Sequence, residues 1–532
     1  ARRRTAPRAW LDRARWTGLA LLPSALLVAV TAHISTDVVA APFLWVIPLG
    51  LYLLTFVIAF RPRPMLPHRW MVRLLPLLLV PPAVVATGIA VPNLLLGISI
   101  HLSFFFVAAM VCHGELVRRR PEAARITEFY LWMSIGGVIG GILSALVAPQ
   151  IFSSVAEYPI LIAASLLALP AWGETALREH AKGFALAAAF AALLVLPWVV
   201  GARLSSLQYV LLLAALALLV VIVRRQVALQ FGLALALLFL ANWYGPDHAG
   251  LTTYRSFFGV NKVMDGSGGR FRVLVHGTTI HGAERVRNDD GTPYVGPPIP
   301  STYYAFAGPL GQGVAAARAG QGSLGRVGVV GLGTGSLACH AKPGESWRFF
   351  EIDPEVVRIA TDTRRFDFLA RCTASAPIVL GDGRLTLADE PDGGFDLIVV
   401  DAFASDSIPV HLLTAEAFAG YLRKLSPRGS ILLNISNRYM DLAPVVAASA
   451  AANGLKAHLA VTRAVVDEAN MVFGTKAAIV ARSEADIGAL SSAMWQPLLP
   501  TAGFRTWTDD YSNILDLVLR GLPSQTGDQA IP

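Results

Sequence analysis

The feature that most constrains this chain is a change of composition near its middle. Up to about Trp243 the sequence consists of long apolar runs separated by short basic stretches, whereas from Tyr254 onward it has the residue mixture of an ordinary soluble protein. Only 15% of the 532 residues are charged, against about 25% in a typical soluble domain. The sequence therefore predicts a helical membrane region, residues 1–245, followed by a soluble region.

Nine apolar runs in the first region approach the length of roughly 20 residues that a membrane helix needs. They are residues 18–33, 42–60, 71–91, 94–111, 129–147, 160–172, 184–200, 210–223 and 229–243. The basic stretches between several of these runs are typical of cytoplasmic loops. From a cytoplasmic N-terminus, nine full crossings would leave the second region on the other side of the membrane.

The net charge of +8 is explained by those same basic stretches. They lie beside apolar runs, at residues 2–4, 61–63, 118–120 and 224–225. Arginine placed there contacts anionic lipid headgroups. We therefore expect a lipid bilayer, and no nucleic acid, as the partner of these charges.

Small residues and ionisable residues inside the first region indicate how its helices contact one another. Gly136, Gly137, Gly140 and Gly141 place small side chains four residues apart, which predicts close packing between helices. Ionisable groups also fall at membrane depth or its edge: His33, Asp37, His101, His113, Glu115 and Glu128. Such groups either join helices or line a site, and the sequence leaves both interpretations open.

Cysteine usage gives little information. Cys112, Cys339 and Cys372 are too few and too scattered to indicate a disulfide framework. No CxxC-type pattern is present, so we expect no metal site.

The second region divides into a β-like segment and an alternating segment. Residues 246–325 contain "FRVLVHGTTIHGAERV", with β-branched alternation, and then "STYYAFAGPLGQGVAAA", an extended stretch leading into a helix. Residues 326–532 alternate buried strands with amphipathic helices. That order predicts a small β lobe followed by a Rossmann-like α/β domain with a mostly parallel sheet.

Candidate ligand-binding residues follow each predicted strand, where such sheets bind ligands. Gly331, Gly333 and Gly335 follow the first strand and allow the backbone to approach a ligand closely. Glu351 ends the second strand, and its carboxylate can accept hydrogen bonds from both hydroxyls of a ribose. The third strand ends in Asp382 and Gly383, and the fourth in Asp401, with Asp406 shortly after. Each acid alone can be a turn or helix cap, but their shared position predicts an adenosine site with one further reacting group.

At these residues the chain resembles the spermidine synthase family, the polyamine aminopropyltransferases, and more closely their bacterial membrane-fused relatives. The resemblance covers about residues 254–513. The stretches that carry it are "HGTTIHGAE", "STYYAFAGPLG", "GLGTGSLA", "FFEIDPEVV", "LGDGR", "DAFASDSIPVHLLT" and "WTDDYSNIL", with "CHGELVRRRP" and "TEFYLWMSIGGVIGG" in the membrane region. The family fold is a small β lobe with a methyltransferase-like Rossmann domain.

The resemblance implies roles for particular residues. Glu351 would hold the ribose, Asp382 the adenine amine, and Asp401, the first acid of the family's Asp-x-x-Asp-Pro motif, would take the proton of the incoming amine. His281, Tyr303 and Tyr304 would lie on the acceptor side. The family reaction is an in-line displacement that releases 5′-methylthioadenosine from a sulfonium.

Two departures bear on the substrate. Where the family's glycine-rich loop carries an Asp that grips the amino end of decarboxylated S-adenosylmethionine, this chain has Thr334. A neutral Thr removes a carboxylate that would repel ordinary S-adenosylmethionine. The second motif acid, Asp406, is displaced by two residues from the family spacing.

The expected activity is that of a spermidine synthase-like alkyl transferase using S-adenosylmethionine or its decarboxylated form. It would transfer an aminopropyl or aminocarboxypropyl group to a small-molecule amine, or break the cofactor down without an acceptor. A methyltransferase and a non-enzymatic transporter or sensor are the alternatives, and a homodimer is a further candidate assembly.

The expected location is the bacterial inner membrane, with the catalytic domain facing the cytoplasm, because the cofactor is a cytosolic metabolite. We therefore take eight crossings as the working number. One of the nine apolar runs would then be re-entrant or interfacial.

Overall fold

A computed structural model of the chain forms two compact units, one before residue 170 and the other from residue 251 on, and each is described by itself. The described residues are 6–35, 44–63, 65–86, 94–169, 251–277, 279–402, 409–437, 440–462, 467, 469–488, 490 and 494–521. The last three apolar runs predicted from the sequence, and with them the number of crossings, lie outside these ranges. The expected domain boundary at residue 245 also lies outside them, and that at residue 325 stays a prediction.

The first unit is helical. Its helices are α1 (Ala6–His33), α2 (Val46–Ala59), α3 (His68–Ala86), α4 (Leu94–Arg118), α5 (Ile126–Ile142), α6 (Ala148–Ile151) and α7 (Glu157–Ala164). Three continuous helical stretches within the described ranges are long and apolar enough to cross a membrane: Ala9–His33, Leu95–Arg118 and Ala123–Ile151. The first unit therefore has the length and composition of a membrane-associated helical region.

Helices α1 and α5 pack closely through two of the four glycines. A Cβ atom added at Gly136 would lie 2.3 Å from the carbonyl oxygen of Thr17, and one at Gly140 would lie 2.2 Å from that of Leu21. At Gly137 and Gly141 a Cβ atom would meet nothing within 4 Å. The predicted helix packing is therefore confirmed, and only one face of the helix carries it.

Replacing Gly140 by Val is expected to destabilise the first unit, because the new side chain enters the backbone of α1. Overpacking of this kind costs about 1–3 kcal/mol. The matched control is Gly141→Val, which adds the same atoms one residue further on in open space. Thermal unfolding of the full chain in detergent measures both variants. Equal melting temperatures for the two would contradict the packing described here.

The described ionisable residues of this unit contact other helices. His101 Nδ1 lies 2.8 Å from the Tyr158 hydroxyl, and His113 Nδ1 lies 3.0 Å from the Thr55 hydroxyl. Glu115 lies 2.7 Å from His68 Nε2. These contacts join α4 to α7, α2 and α3, which favours the helix-joining interpretation of the ionisable groups. Asp37 lies outside the described residues.

The second unit begins with a four-stranded antiparallel sheet. Its strands are β1 (Thr252–Ser256), β2 (Gly259–Gly266), β3 (Phe271–His276) and β4 (Thr279–Arg285), which pair in chain order. The predicted small β lobe is therefore confirmed. A 3₁₀ turn (Thr302–Tyr304) and helix α8 (Pro309–Gln321) follow it, as the extended stretch and helix predicted from the sequence.

An eight-stranded mixed sheet forms the larger part of the second unit. Its strands are β5 (Arg326–Val330), β6 (Ser346–Glu351), β7 (Ile378–Leu380), β8 (Phe395–Val400), β9 (Leu425–Asn434), β10 (Lys456–Val461), β11 (Lys476–Ala481) and β12 (Trp495–Pro497), in the spatial order β12-β10-β11-β9-β8-β5-β6-β7. The five strands β7, β6, β5, β8 and β9 run parallel, and β11, β10 and β12 extend the sheet at one edge by antiparallel pairing with their neighbours. The predicted Rossmann-like fold is confirmed. Strands β6 and β7 lie on one side of β5, and β8 and β9 lie on the other. Sheets of this kind bind ligands at the point between β5 and β8 where the strand order reverses.

Seven helices follow in the described part of this unit, and three of them begin at a side-chain cap. They are α9 (Pro354–Thr361), α10 (Phe368–Cys372), α11 (Gly383–Ala388), α12 (Ala415–Lys424), α13 (Ala443–Ala452), α14 (Glu484–Ile487) and α15 (Ile514–Gly521). Asp353 caps α9 by accepting from the Glu355 backbone N–H at 2.9 Å, and Thr414 caps α12 by accepting from that of Ala417. Asp353 comes two residues after the end of β6, so its cap fixes where α9 begins beside the sheet.

Cys339 and Cys372 form a disulfide, a single pairing that the number and spacing of the cysteines did not indicate. Their Cα atoms are 4.9 Å apart and 33 residues separate them in the chain. Cys339 lies in the 3₁₀ helix Ser336–His340 that follows the glycine-rich loop, and Cys372 ends α10. The spacing of the two cysteines in the sequence does not predict this pairing, because α10 and the glycine-rich loop come together only in the folded structure.

Candidate functional site

A cavity of about 350 Å³ lies at the carboxyl ends of the parallel strands, with the β lobe as its other wall. Eight of the residues predicted from the sequence line it: Gly331, Gly333, Glu351, Asp382, Gly383, Asp401, His281 and Tyr304. Their convergence follows from topology, because parallel strands end at one edge of a sheet. The fold therefore gathers side chains that lie up to 120 residues apart in the chain.

The glycine-rich loop is held so tightly that side chains do not fit. Gly331 has φ 101° and Gly333 φ 54°, values that favour glycine. A Cβ atom at Gly331 would lie 2.2 Å from the carbonyl oxygen of Asp401, and one at Gly333 would lie 2.8 Å from that of His281. The loop backbone thus forms the floor of the cavity between β8 and the β lobe.

Glu351, at the end of β6, is buried and binds the loop. Its Oε2 accepts a hydrogen bond from the Leu332 backbone N–H at 2.9 Å, and its Oε1 accepts one from the Asp353 N–H at 2.9 Å. Burial raises the pKa of this carboxyl, while the two backbone donors oppose the shift. Glu351 therefore fixes the loop's position, and each oxygen keeps a second lone pair for a ligand.

Asp382, beyond β7, is a helix cap that also faces the cavity. Its Oδ1 accepts from the Arg384 and Leu385 backbone N–H groups at 2.9 and 3.1 Å. Its Oδ2 lies 3.0 Å from His411 Nε2. A Cβ atom at Gly383 would lie 2.4 Å from Val330, so glycine there lets α11 start against β5.

Asp401, at the end of β8, is partly buried and accepts hydrogen bonds through both of its oxygens. Its Oδ2 accepts a hydrogen bond from the Tyr304 hydroxyl at 2.6 Å, and its Oδ1 accepts one from Asn434 Nδ2 at 2.8 Å. Burial raises the pKa of Asp401 to about 6, and the two donors oppose that shift. A carboxyl with this pKa can exchange a proton near neutral pH.

Tyr303 and Tyr304 lie beside this acid. Their ring centroids are 4.3 Å apart and their hydroxyl oxygens 3.2 Å apart. Burial, with the nearby charge of Asp401, raises the pKa of both phenols well above its usual range. They are therefore neutral hydrogen-bonding groups over the whole physiological pH range.

Thr334 and Gly335 lie behind the cavity rather than on its wall. The Thr334 side chain is fully buried against Gly282, where an added Cβ atom would lie 2.3 Å from the Thr334 hydroxyl oxygen. Gly335 has φ 79° and packs on Leu369 of α10. Neither is among the residues that line the cavity, so a direct ligand contact from them stays a prediction.

The β lobe contributes two imidazoles to the cavity wall. Burial lowers the pKa of His281 to about 3 and lowers that of His276 as well. The two ring centroids are 5.8 Å apart. Among the described residues, His281 Nε2 has no hydrogen-bond partner. Both rings are thus neutral at pH 7, and the ionised groups of the wall are carboxylates.

Two site residues were not identified from the sequence. Asn434 ends β9 and donates a hydrogen bond to Asp401. It is a polar residue at the end of the buried run "GSILLN", so the strand-end criterion used for the acids would have identified it. Asp353 lines the cavity and accepts hydrogen bonds from Ser256 at 2.8 Å and Asn261 at 3.2 Å. It therefore joins the β lobe to β6, a role that no local pattern indicates. Asp406 lies outside the described residues.

In the part of the chain that the structure describes, no cluster of three or more His, Cys, Asp or Glu side chains is arranged to hold a metal ion.

Comparison with known proteins gives similarity to solved structures only. No family model matches the sequence, and no curated protein matches it. A probable spermidine synthase from Corynebacterium glutamicum ATCC 13032 is 15% identical, covers 49% of this chain and 97% of its own, and has a TM-score of 0.35. The Thermotoga maritima spermidine synthase is 10% identical, covers 51% and 82%, and has a TM-score of 0.32. A spermidine synthase in complex with the transition state analogue AdoDATO has the same identity and coverage and a TM-score of 0.31. The similarity extends over about half of the chain.

Proposed function

We propose that this chain is a membrane-bound, spermidine synthase-like transferase that releases 5′-methylthioadenosine from S-adenosylmethionine or its decarboxylated form. The observation that carries the proposal is the single cavity in which Glu351, Asp382 and Asp401 surround the Gly331–Gly333 loop. A wall that combines several carboxylates with neutral imidazoles suits a positively charged ligand. Each acid stands at the end of a different parallel strand, as an adenosyl site requires.

The adenosyl group would be held by groups already in place. Glu351 suits the ribose hydroxyls, because its two oxygens face the loop and keep free lone pairs. Asp382 suits the adenine amine through Oδ2, since Oδ1 caps α11. Glycine at positions 331 and 333 lets the loop backbone pack against the carbonyl oxygens of Asp401 and His281, and both glycines line the cavity beside the acids.

The sulfonium supplies a carbon bound to a positively charged leaving group. The chain's own contribution begins at Asp401, which lines the same cavity as Tyr304 and His281 and is hydrogen-bonded to the Tyr304 hydroxyl. An attacking amine becomes cationic as it forms its bond, and Asp401 would accept the proton that it loses. The β lobe excludes water and aligns the reactants, which is the larger contribution to rate in a displacement of this kind.

The test is product analysis with the purified full chain in detergent or nanodiscs. The chain is incubated separately with S-adenosylmethionine and with its decarboxylated form, and products are identified by liquid chromatography and mass spectrometry. We expect 5′-methylthioadenosine from at least one of them, with or without added amine. S-adenosylhomocysteine as the product would instead assign a methyltransferase, and no product from either would reject an enzymatic role for the site.

The pH dependence follows from Asp401. As a proton acceptor it must be ionised, so the rate of 5′-methylthioadenosine release is expected to fall as pH falls through about 6. Initial rates between pH 5 and pH 8.5 measure the fall in rate on the acid side, and a flat profile would contradict the assignment.

The raised pKa of Asp401 also affects the free energy of unfolding, which changes with pH in the opposite direction to the rate. The native state holds the Asp401 proton more tightly than the unfolded chain, so this contribution to stability decreases as pH rises from about 4 to about 6.

The location proposed for the enzyme is a bacterial inner membrane, with the catalytic domain on the cytoplasmic side where sulfonium cofactors are made. The Cys339–Cys372 pair offers a direct test, because disulfides persist on the oxidising side of that membrane and are reduced in the cytoplasm. Cells are treated with an alkylating reagent before lysis, and the labelled cysteines are counted by mass spectrometry. Alkylated thiols at both positions support the cytoplasmic face, and an intact disulfide places the domain outside.

A further inference from the structure

The hydrogen bonds around Asp401 distinguish its two oxygens. Asn434 Oδ1 accepts the backbone N–H of Ser436 at 3.1 Å, while its Nδ2 donates to Asp401 Oδ1 at 2.8 Å. Turning the amide over would place its NH₂ against the Ser436 N–H and its oxygen against the carboxylate. Both contacts would then be repulsive, so the network fixes the amide in one orientation.

The other oxygen of Asp401 faces a group that can change its role. The Tyr304 hydroxyl donates to Oδ2 at 2.6 Å and lies 3.2 Å from the Tyr303 hydroxyl. A hydroxyl rotates and can either donate or accept, whereas the NH₂ of Asn434 can only donate. When Oδ2 carries a proton, Tyr304 can accept it, so both protonation states of the carboxyl keep their hydrogen bonds.

We propose that Asn434 is a positioning residue that decides which oxygen of Asp401 is protonated. Oδ1 stays unprotonated because it accepts the hydrogen bond from Asn434, and Oδ2 takes the proton from the substrate. The step forms an O–H bond at Oδ2 and breaks one N–H bond of the attacking amine, whose electron pair stays on nitrogen. The carboxylate becomes a neutral acid, and Tyr304 reorients to accept from it. This inference rests on the proposed function, since it assigns the part that Asn434 plays in it.

Titratable groups from several elements surround Asp401. Glu351 on β6 opposes ionisation of Asp401 by its charge. Tyr303 and Tyr304 come from the 302–304 turn, and His281 with His276 line the same cavity as neutral rings. Asn434 on β9 and Tyr304 are the described side chains whose hydrogen bonds favour the ionised form. Removing the Asn434 donor therefore weakens the carboxylate form specifically.

The test uses two substitutions of Asn434 in the full chain. Asn434→Leu removes the donor and keeps the size, and Asn434→Asp keeps the shape and adds a like charge. We expect the acid limb of 5′-methylthioadenosine release to move upward by about one pH unit in the first variant and further in the second. The dissociation constant for 5′-methylthioadenosine should stay within about threefold of wild type, since Glu351 and Asp382 are unchanged. Asn470→Asp, at an exposed position, is the matched control and should leave the profile unchanged.

A uniformly lower rate with an unmoved limb would show that Asn434 is only structural and would overturn the inference. Failure of the proposed function is recognised separately, because wild type then releases no product. In that case pH-difference infrared spectroscopy decides. The protonated carboxyl band that disappears in Asp401→Asn must titrate at higher pH in Asn434→Leu than in wild type, and equal midpoints would overturn the inference.

Discussion

Asp401→Asn is expected to lower the rate of 5′-methylthioadenosine release by about 10²–10⁴-fold, the range that general acid–base groups contribute. The substitution removes the proton-accepting oxygen and keeps the shape of the side chain. Its amide oxygen can accept from Asn434 and its NH₂ can donate to the Tyr304 oxygen, so both hydrogen bonds persist. The loss should therefore fall on turnover, with little change in the affinity for 5′-methylthioadenosine.

Stability provides the internal check on this variant. The pKa of Asp401 is raised in the folded protein, so the neutral amide should leave the melting temperature unchanged or higher at pH 7.5. Asp389→Asn, an exposed acid at the end of α11, is the matched control and should keep full activity. If Asp401→Asn retains wild-type turnover, Asp401 is not the proton acceptor.

Glu351→Gln is expected to weaken the binding of 5′-methylthioadenosine by about 10–100-fold. Glu351 uses one oxygen for the Leu332 N–H and the other for the Asp353 N–H. Gln has a single acceptor, so its NH₂ must face one of these donors and leave it unsatisfied. Losing a hydrogen bond from the proposed ribose hydroxyl to a charged acceptor costs about 1.5–3 kcal/mol, and each 1.4 kcal/mol is about tenfold in affinity. The loop that forms the cavity floor also loses one of its contacts.

Isothermal titration calorimetry with 5′-methylthioadenosine measures this effect without requiring turnover. Glu355→Gln is the matched control, because that side chain pairs with the exposed Arg358 outside the cavity and exposed pairs contribute little. The control should bind as wild type does. Unchanged affinity in Glu351→Gln would remove Glu351 from the ligand site and leave it only as a support of the loop.

Much of the second unit's fold could be predicted from local patterns. The run "RVGVVGLGTG" predicts a buried strand and a tight turn, and the structure has β5 followed by glycines with positive φ. "FFEIDPEVV" likewise gives β6 and the capped helix α9. Such signals are local. An apolar run of a few residues indicates a parallel strand buried on both faces, and a single polar residue before a helix indicates its cap. The positions of Glu351, Asp382 and Asp401 followed from them.

Pairings that join distant segments could not be predicted in this way. The Cys339–Cys372 disulfide joins two short helices whose approach depends on how α10 packs under Gly335. The approach of the Thr334 side chain to Gly282 of the β lobe is another such pairing. Among Gly136, Gly137, Gly140 and Gly141 the sequence gives the spacing, and only the packing of α1 on α5 separates the two that are required.

The sequence by itself determined that an apolar helical region precedes an α/β unit, and that acids stand at the ends of its parallel strands. Composition, periodicity and strand-end position are properties of short segments, so they can be recognised before folding is known. Only the tertiary structure decided that Asp401 is held between Tyr304 and Asn434, and that Asp353 joins the β lobe to the sheet. These contacts arise between side chains 33 to 97 residues apart in the chain, and it is burial among them that gives Asp401 its raised pKa.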